Sequence, residues 1–213
     1  MLELLAQQKV LIIKQRKEMI ELLGFETRNK YEILTEDNQV IGFAAEQQKG
    51  YLGILLRQIF GHWRKFDIHI FDAQRIQQFL AHHPFRFYFQ RLQVQDMQGR
   101  TLGHLEKQFS ILSKKFRIFD AHDRETAQMY SGLFKIWKFP IMREDREIAV
   151  ISKKWGGALK EIFIDADSFA IEFIDPQLTP EEKAVLLNAA IFIDLLFFEN
   201  NQGRFNLMDL IPG

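Results

Sequence analysis

Thr179-Pro-Glu-Glu-Lys-Ala-Val-Leu-Leu-Asn-Ala-Ala-Ile-Phe-Ile-Asp-Leu-Leu-Phe-Phe198 is the stretch on which the fold turns. Thr179 suits an N-cap, Pro180 the first helical position, and Glu181 and Glu182 the positive end of a helix dipole. From Ala184 to Phe198 only Asn188 and Asp194 interrupt an apolar run. A helix that is apolar on every side is either a core helix or a membrane span. Length separates the two: the run reaches about 22 Å at 1.5 Å per residue, against a hydrocarbon core of about 30 Å. Asp194 would add a penalty of roughly 2.5–3.5 kcal/mol in lipid, and no Lys/Arg cluster flanks the run to orient it. The sequence predicts a helix over about 180–199 that is buried in protein. Val185, Leu186, Ala189, Ile193, Leu196 and Phe197 are its expected core positions.

The chain upstream supplies what surrounds such a helix. Alternating runs enter and leave polar turns with Asp near the apex: Tyr31–Phe43 around Asp37, Phe66–Ile76 around Asp72, Leu92–Leu102 around Asp96. A fourth follows at Phe116–Asp123 around Asp120, and a less regular fifth at Ile141–Val150 around Asp145. The aspartates fall 35, 24, 24 and 25 residues apart. Alternation puts Ile68 and Ile70 on one face, and Leu92 and Val94 likewise. Asp suits turns because its short side chain bonds nearby backbone. Five hairpins give ten strands. Val10–Ile13 or Met19–Leu23, Leu159–Ile164 and Phe169–Phe173 are candidates for more. About twelve antiparallel strands, over roughly residues 9–173, avoid exposed edges by closing into a barrel. So wide a barrel is not filled by its own side chains. The expected fold is mainly β: a closed antiparallel barrel of about twelve strands around a central hydrophobic C-terminal helix.

Composition narrows the function. With 47% hydrophobic and 26% charged residues the chain folds. Its 28 basic and 28 acidic side chains create no net field, and nucleic acid is not an expected partner. The absence of Cys excludes disulfides, thiolate zinc sites, a Cys nucleophile and S-palmitoylation. Met1–Lys9 has neither the basic region nor the apolar run of a secretory signal. With only 12 Gly and 5 Pro and no linker-like stretch, residues 1–213 read as one domain. His82 and His83 are adjacent, so on a strand they face opposite ways and do not share a metal. Ser110, Ser131 and Ser152 lie in no Gly-x-Ser-x-Gly context, and there is no phosphate-binding lysine loop. Covalent catalysis is not expected.

Several segments carry a resemblance. They are Gly24-Phe-Glu-Thr27, Asn29-Lys-Tyr-Glu-Ile33, Phe43-Ala-Ala-Glu46, Ile151-Ser-Lys-Lys-Trp155, Asp165-Ala-Asp-Ser-Phe169 and Asp194-Leu-Leu-Phe-Phe-Glu199. In this order and spacing the chain resembles the phospholipid scramblase family, within the tubby C-terminal-like (LURP-one-related) fold. The resemblance implies a twelve-stranded barrel around a hydrophobic helix. It also implies ATP-independent, bidirectional movement of phospholipids between leaflets, triggered by calcium and involving no covalent chemistry. The implied partner is a phospholipid membrane surface, met peripherally from the cytoplasmic side. The alternative from another class is a soluble, non-enzymatic barrel that binds a lipid headgroup or a protein and moves nothing.

The resemblance also points to sites. Asp165–Pro176 overlaps the segment proposed as the family's calcium loop. A hard-cation loop wants oxygens at positions 1, 3 and 5, Gly at 6 and a bidentate acid at 12. Here Asp165 and Asp167 fit, but Phe169, Ala170 and Pro176 do not. If calcium binds, Asp165, Asp167, Glu172 and Asp175 are the oxygens available; the other reading is a strand through Phe169, Ile171 and Phe173. Lys153, Lys154, Trp155 and Lys160 combine cations with an interfacial ring, as headgroup contact requires. Trp63, Arg64 and Lys65 form a second such group. Solvated lysines beside a packed Trp are the plainer account of both.

Overall fold

The computed structural model describes residues 1–16, 27–48, 66–84, 91–109, 113–132, 138–153 and 168–198. Among them the alternating runs form twelve strands. These are β1 (Val10–Gln15), β2 (Thr27–Thr35), β3 (Val40–Gln48), β4 (Phe66–Asp72), β5 (Gln77–His83) and β6 (Arg91–Asp96). They continue with β7 (Thr101–Gln108), β8 (Ser113–Asp120), β9 (Glu125–Gly132), β10 (Lys138–Arg143), β11 (Arg146–Ser152) and β12 (Ser168–Phe173). A short helix, α1 (Leu2–Gln7), precedes them, and α2 (Pro180–Ile193) follows and runs into a π-helical turn, Asp194–Phe198. Each strand pairs antiparallel with its chain neighbours, and β1 closes the ring by pairing with both β2 and β12. Ile13 thus sits between Ile33 and Phe169. Of the candidate extra strands, Met19–Leu23 and Leu159–Ile164 lie outside the described residues.

Three hairpins share one turn chemistry. In the turns after Asp72, Asp96 and Asp120, the carboxylate Oδ1 accepts the backbone N–H groups two and four residues on, at 2.8–3.0 Å. The residue three positions on takes a left-handed backbone: Arg75, Gly99 and Asp123 have φ of 65°, 80° and 57°. In two of these turns an arginine four residues on returns to the same carboxylate, Arg100 to Asp96 and Arg124 to Asp120. Burial alone would raise both carboxyls; the backbone N–H groups and the guanidinium of Arg100 or Arg124 outweigh it and hold them below the usual aspartate range. The other two expected aspartates, Asp37 and Asp145, also lie in turns, though not at the equivalent place. Thr35, not Asp37, occupies the equivalent place in the first hairpin, its Oγ1 accepting Gln39 N–H. The β10–β11 connection is a two-residue loop in which Glu144 takes positive φ ahead of Asp145.

The ring is filled by α2. Thr179 caps it reciprocally: its hydroxyl accepts Glu182 N–H at 3.1 Å while its own N–H donates to the Glu182 carboxylate at 2.9 Å. Lys183 to Ile193 are all buried. Val185, Leu186, Ala189, Ile193 and Leu196 belong to one hydrophobic cluster with inward residues of the strands, and Phe197 packs partly buried against it. Phe192 meets Phe66, Phe116 and the His83 ring at 5.1–6.3 Å between centroids. Fully burying a large apolar side chain contributes roughly 1.5–3 kcal/mol, so the helix supplies much of what the wide ring lacks. Lys183 closes the near end, donating to the carbonyls of Ala6 and Gln8 at 2.8 Å and holding α1 over the opening. Asn188 turns its Nδ2 to the Ala184 carbonyl at 2.9 Å, while its Oδ1 has no partner among the described residues.

One strand approaches the helix closely. A Cβ at Gly103 in β7 would lie 2.5 Å from the Phe119 carbonyl oxygen and 2.9 Å from the Val185 side chain. Gly103→Ala is therefore expected to destabilise the fold by about 1–3 kcal/mol, the usual cost of overpacking. Urea unfolding followed by circular dichroism measures it, and an unchanged midpoint would contradict this packing.

Candidate functional site: the polar mouth at the helix C-terminus

The two ends of the barrel differ. Short hairpin turns, α1 and the start of α2 lie at one end, and the π-helical end of the central helix lies at the other. At this second mouth the inward faces of the strands change from apolar to polar. Two residues beyond the last core positions Ile13, Tyr31, Ala44, Leu105, Phe116 and Ile151, alternation brings Gln15, Asn29, Glu46, Lys107, Lys114 and Lys153 inward. The last carbonyls of a helix carry partial negative charge, and the three lysines gather where that charge is.

Asp194 is the centre of the arrangement. Tyr31 Oη donates to its Oδ2 at 3.0 Å and Lys153 Nζ donates to its Oδ1 at 3.2 Å. The lysine and aspartate side chains retain only 9% and 4% of their exposure. A charge that would be costly in an apolar helix is thereby paired and hydrogen-bonded, and it ties β2, β11 and the helix end together. Beside it, Gln15 Nε2 donates to Asn29 Oδ1 at 2.9 Å, and Asn29 Nδ2 donates to Glu46 Oε2 at 2.6 Å. On the opposite wall Lys114 Nζ stands 3.8 Å from the centroid of the Phe197 ring and Lys107 Nζ 5.6 Å. Burial, and then the charge of Lys107, pulls Lys114 down to about 8. Burial lowers Lys107 as well.

The expected site residues fall as follows. Lys153 lies in this mouth, engaged with Asp194 rather than presented outward. Lys154, Trp155, Lys160, Trp63, Arg64, Lys65, Asp165 and Asp167 lie outside the described residues. Of the four expected calcium oxygens, Asp165 and Asp167 lie outside the described residues, and Glu172 and Asp175 belong to β12 and the turn after it. Asp175 is buried at the hairpin end, where its Oδ2 accepts Arg146 at 3.0 Å and its Oδ1 accepts Gln177 N–H at 3.0 Å. Glu172 alternates with the core residues Ile171 and Phe173 and so faces outward, half-buried. Among the described residues no group of three or more His, Asp or Glu is placed to hold a metal. His82 and His83 do face opposite ways: His83 stacks on Phe66 at 4.7 Å, and His82 Nδ1 meets Asp67 at 2.5 Å.

Two larger open grooves, of about 880 and 560 Å³, flank the start of α2 at the hairpin end. Arg124 pairs with Asp120 and Arg143 with Glu182 there, but acidic side chains outnumber basic ones along both linings, which disfavours an anion. The mouth, with three inward lysines against Glu46 and Asp194, is the better candidate for binding an anion.

Residues 1–200 match the family model described as Scramblase. The chain belongs to the scramblase family. It is 34% identical to bovine phospholipid scramblase 2 over 95% of this chain and 73% of that protein. It is 33% identical to human phospholipid scramblase 1 over 93% of this chain and 66% of that one, and 29% identical to human phospholipid scramblase family member 5 over 94% and 78%. The family segments near Tyr31, Glu46, Lys153 and Asp194 converge on the mouth. Lys107 and Lys114 were not evident as a pair, although the inward parity of Leu105, Phe116 and Ile118 carries them.

Removing one partner of a buried ion pair costs about 3–5 kcal/mol, whereas replacing both by apolar groups costs far less. Asp194→Ala is expected to destabilise the protein within that range, and the double variant Lys153→Met/Asp194→Leu by less than Asp194→Ala alone. A double-mutant cycle from chemical denaturation measures the difference; additive losses would refute the pair.

Proposed function

We propose that this chain is a scramblase-like protein that lets phospholipids pass in both directions between leaflets, without ATP and without covalent chemistry. Membership of the scramblase family is the observation that carries the reading. The barrier to be lowered is the transfer of a charged headgroup through hydrocarbon, which requires polar groups along the way or a thinned bilayer. The inward lysines of the mouth are groups of the required kind. The route does not run through the barrel axis, because α2 fills it from Ala184 to Leu196. Transport on this reading takes place where the barrel meets the bilayer surface on the cytoplasmic side, with Trp63, Arg64, Lys65, Lys154, Trp155 and Lys160 as candidate headgroup contacts. Calcium, as the trigger the family resemblance implies, has Asp165, Asp167, Glu172 and Asp175 as its candidate oxygens.

A second reading is a barrel that holds headgroups or a protein and moves nothing. It is favoured by one observation: no helix among the described residues is long and apolar enough to cross a membrane. Dithionite quenching of a fluorescent phospholipid in proteoliposomes, with and without calcium, separates the two. Transport predicts loss of well over half the signal. Loss of only half, equal to protein-free vesicles, removes the transport reading and leaves the binding one.

A further inference from the structure

Among the described strand pairings, that of β9 with β10 is the shortest. It joins Ile141 to Met129 and Met142 to Gln128, and toward the hairpin end the ladder stops. A guanidinium stands where further rungs would be: Arg143 Nε donates to the Thr126 carbonyl at 3.2 Å, and a terminal nitrogen donates to the Glu182 carboxylate of α2. The larger groove, of about 880 Å³, lies where the two strands part. Tyr130 and Met142 line it from the outer face of the barrel, since Met129 and Ile141 beside them belong to the core. The Glu144–Asp145 loop forms its rim.

Five carboxylates and two guanidiniums line this groove. Three of the carboxylates are matched: Asp120 by Arg124, Glu182 by Arg143 and Glu125 by Arg117. Glu144 and Asp145 are both exposed, and among the described residues neither meets a cation. Tyr130 keeps 44% of its exposure and offers a ring face along the same lining. We infer that the groove docks an extended, arginine-bearing segment of a partner protein, with guanidinium groups on Glu144 and Asp145 and another on the Tyr130 ring. The groove already takes guanidinium in this way, through Arg143 on Glu182 and Arg124 on Asp120. Arginine suits it better than lysine because the planar fork meets a carboxylate with two N–H groups and stacks on an aromatic ring. From Thr126, beside the rim, to Tyr130 is four residues of strand, about 13 Å. Side chains on one face of an extended peptide recur about every 7 Å, so alternate positions reach both ends. The whole chain carries no net charge, so the attraction is local to the groove. Docking here does not depend on lipid transport, and the two stand or fall separately.

The test is fluorescence anisotropy of a labelled peptide of alternating arginine and glycine, titrated with the full chain, beside the same peptide with lysine for arginine. The arginine peptide is expected to bind, about threefold or more tighter than the lysine one. Glu144→Gln/Asp145→Asn is expected to weaken it about tenfold and Tyr130→Ser about threefold. Glu36→Gln/Asp37→Asn, an equal charge change at the exposed β2–β3 turn, is expected to leave it unchanged. All five positions are exposed, and circular dichroism checks that each variant is folded. In methionine methyl NMR of the unsubstituted protein the arginine peptide is expected to move the Met142 signal and not that of Met97, which is exposed on the β6–β7 turn. Absence of binding, an unmoved Met142 signal, or equal weakening by the two charge-neutralised pairs overturns the docking site. Equal affinity for the lysine peptide overturns the arginine assignment. Self-association of the chain that Glu144→Gln/Asp145→Asn abolishes gives the groove to a second copy and overturns the partner segment.

Discussion

A ring of twelve strands encloses more volume than its own inward side chains fill, and everything else in this protein answers to that constraint. The filler is a helix apolar on all sides, whose exposure to water would be costly and whose burial joins every wall of the barrel to one central rod. Its placement fixes the strands' inward faces as apolar along most of their length. It leaves polarity to the ends. At the near end a capping box, Lys183 and α1 close the opening. At the far end the helix terminus itself has negative character, and lysines from β7, β8 and β11 meet it.

This division accounts for where function is placed. With its axis filled by the helix, the described barrel leaves its surface and its mouth as the places where a ligand can be met. Asp194 fits the same logic. It is the acid that makes the helix a poor membrane span, and in the folded chain it is bonded to Tyr31 and Lys153. The residue that argues against insertion also locks the helix in the ring.

Much of the fold was legible because it depends on local periodicity. Ile68 with Ile70 and Leu92 with Val94 alternate as strands must, and all four point to the core. The recurring Asp72, Asp96 and Asp120 mark a real turn unit, since an aspartate at that point caps two backbone N–H groups. Asp37 resembled them only in being near an apex; register, which the sequence does not display, gives the role to Thr35. The helix was legible from Thr179, Pro180 and the uninterrupted apolar run. The site was harder to read because its members are far apart in the chain: Tyr31 and Asp194 are 163 residues apart. Lys114 and Lys115 are adjacent, and only the parity of the core residue Phe116 distinguishes the inward one from the outward one. The strand read from the alternation of Phe169, Ile171 and Phe173 is present as β12.

The most direct test of the filled ring uses the absence of native cysteine. A single Ala189→Cys thiol, small enough for its site at the centre of α2, reports who its neighbours are. In detergent-free solution and on lipid vesicles it is predicted to resist both water-soluble and membrane-soluble maleimides until the whole barrel unfolds in denaturant. Rapid reaction with the membrane-soluble reagent on vesicles, while the strands remain folded, would show the helix in lipid and contradict the account.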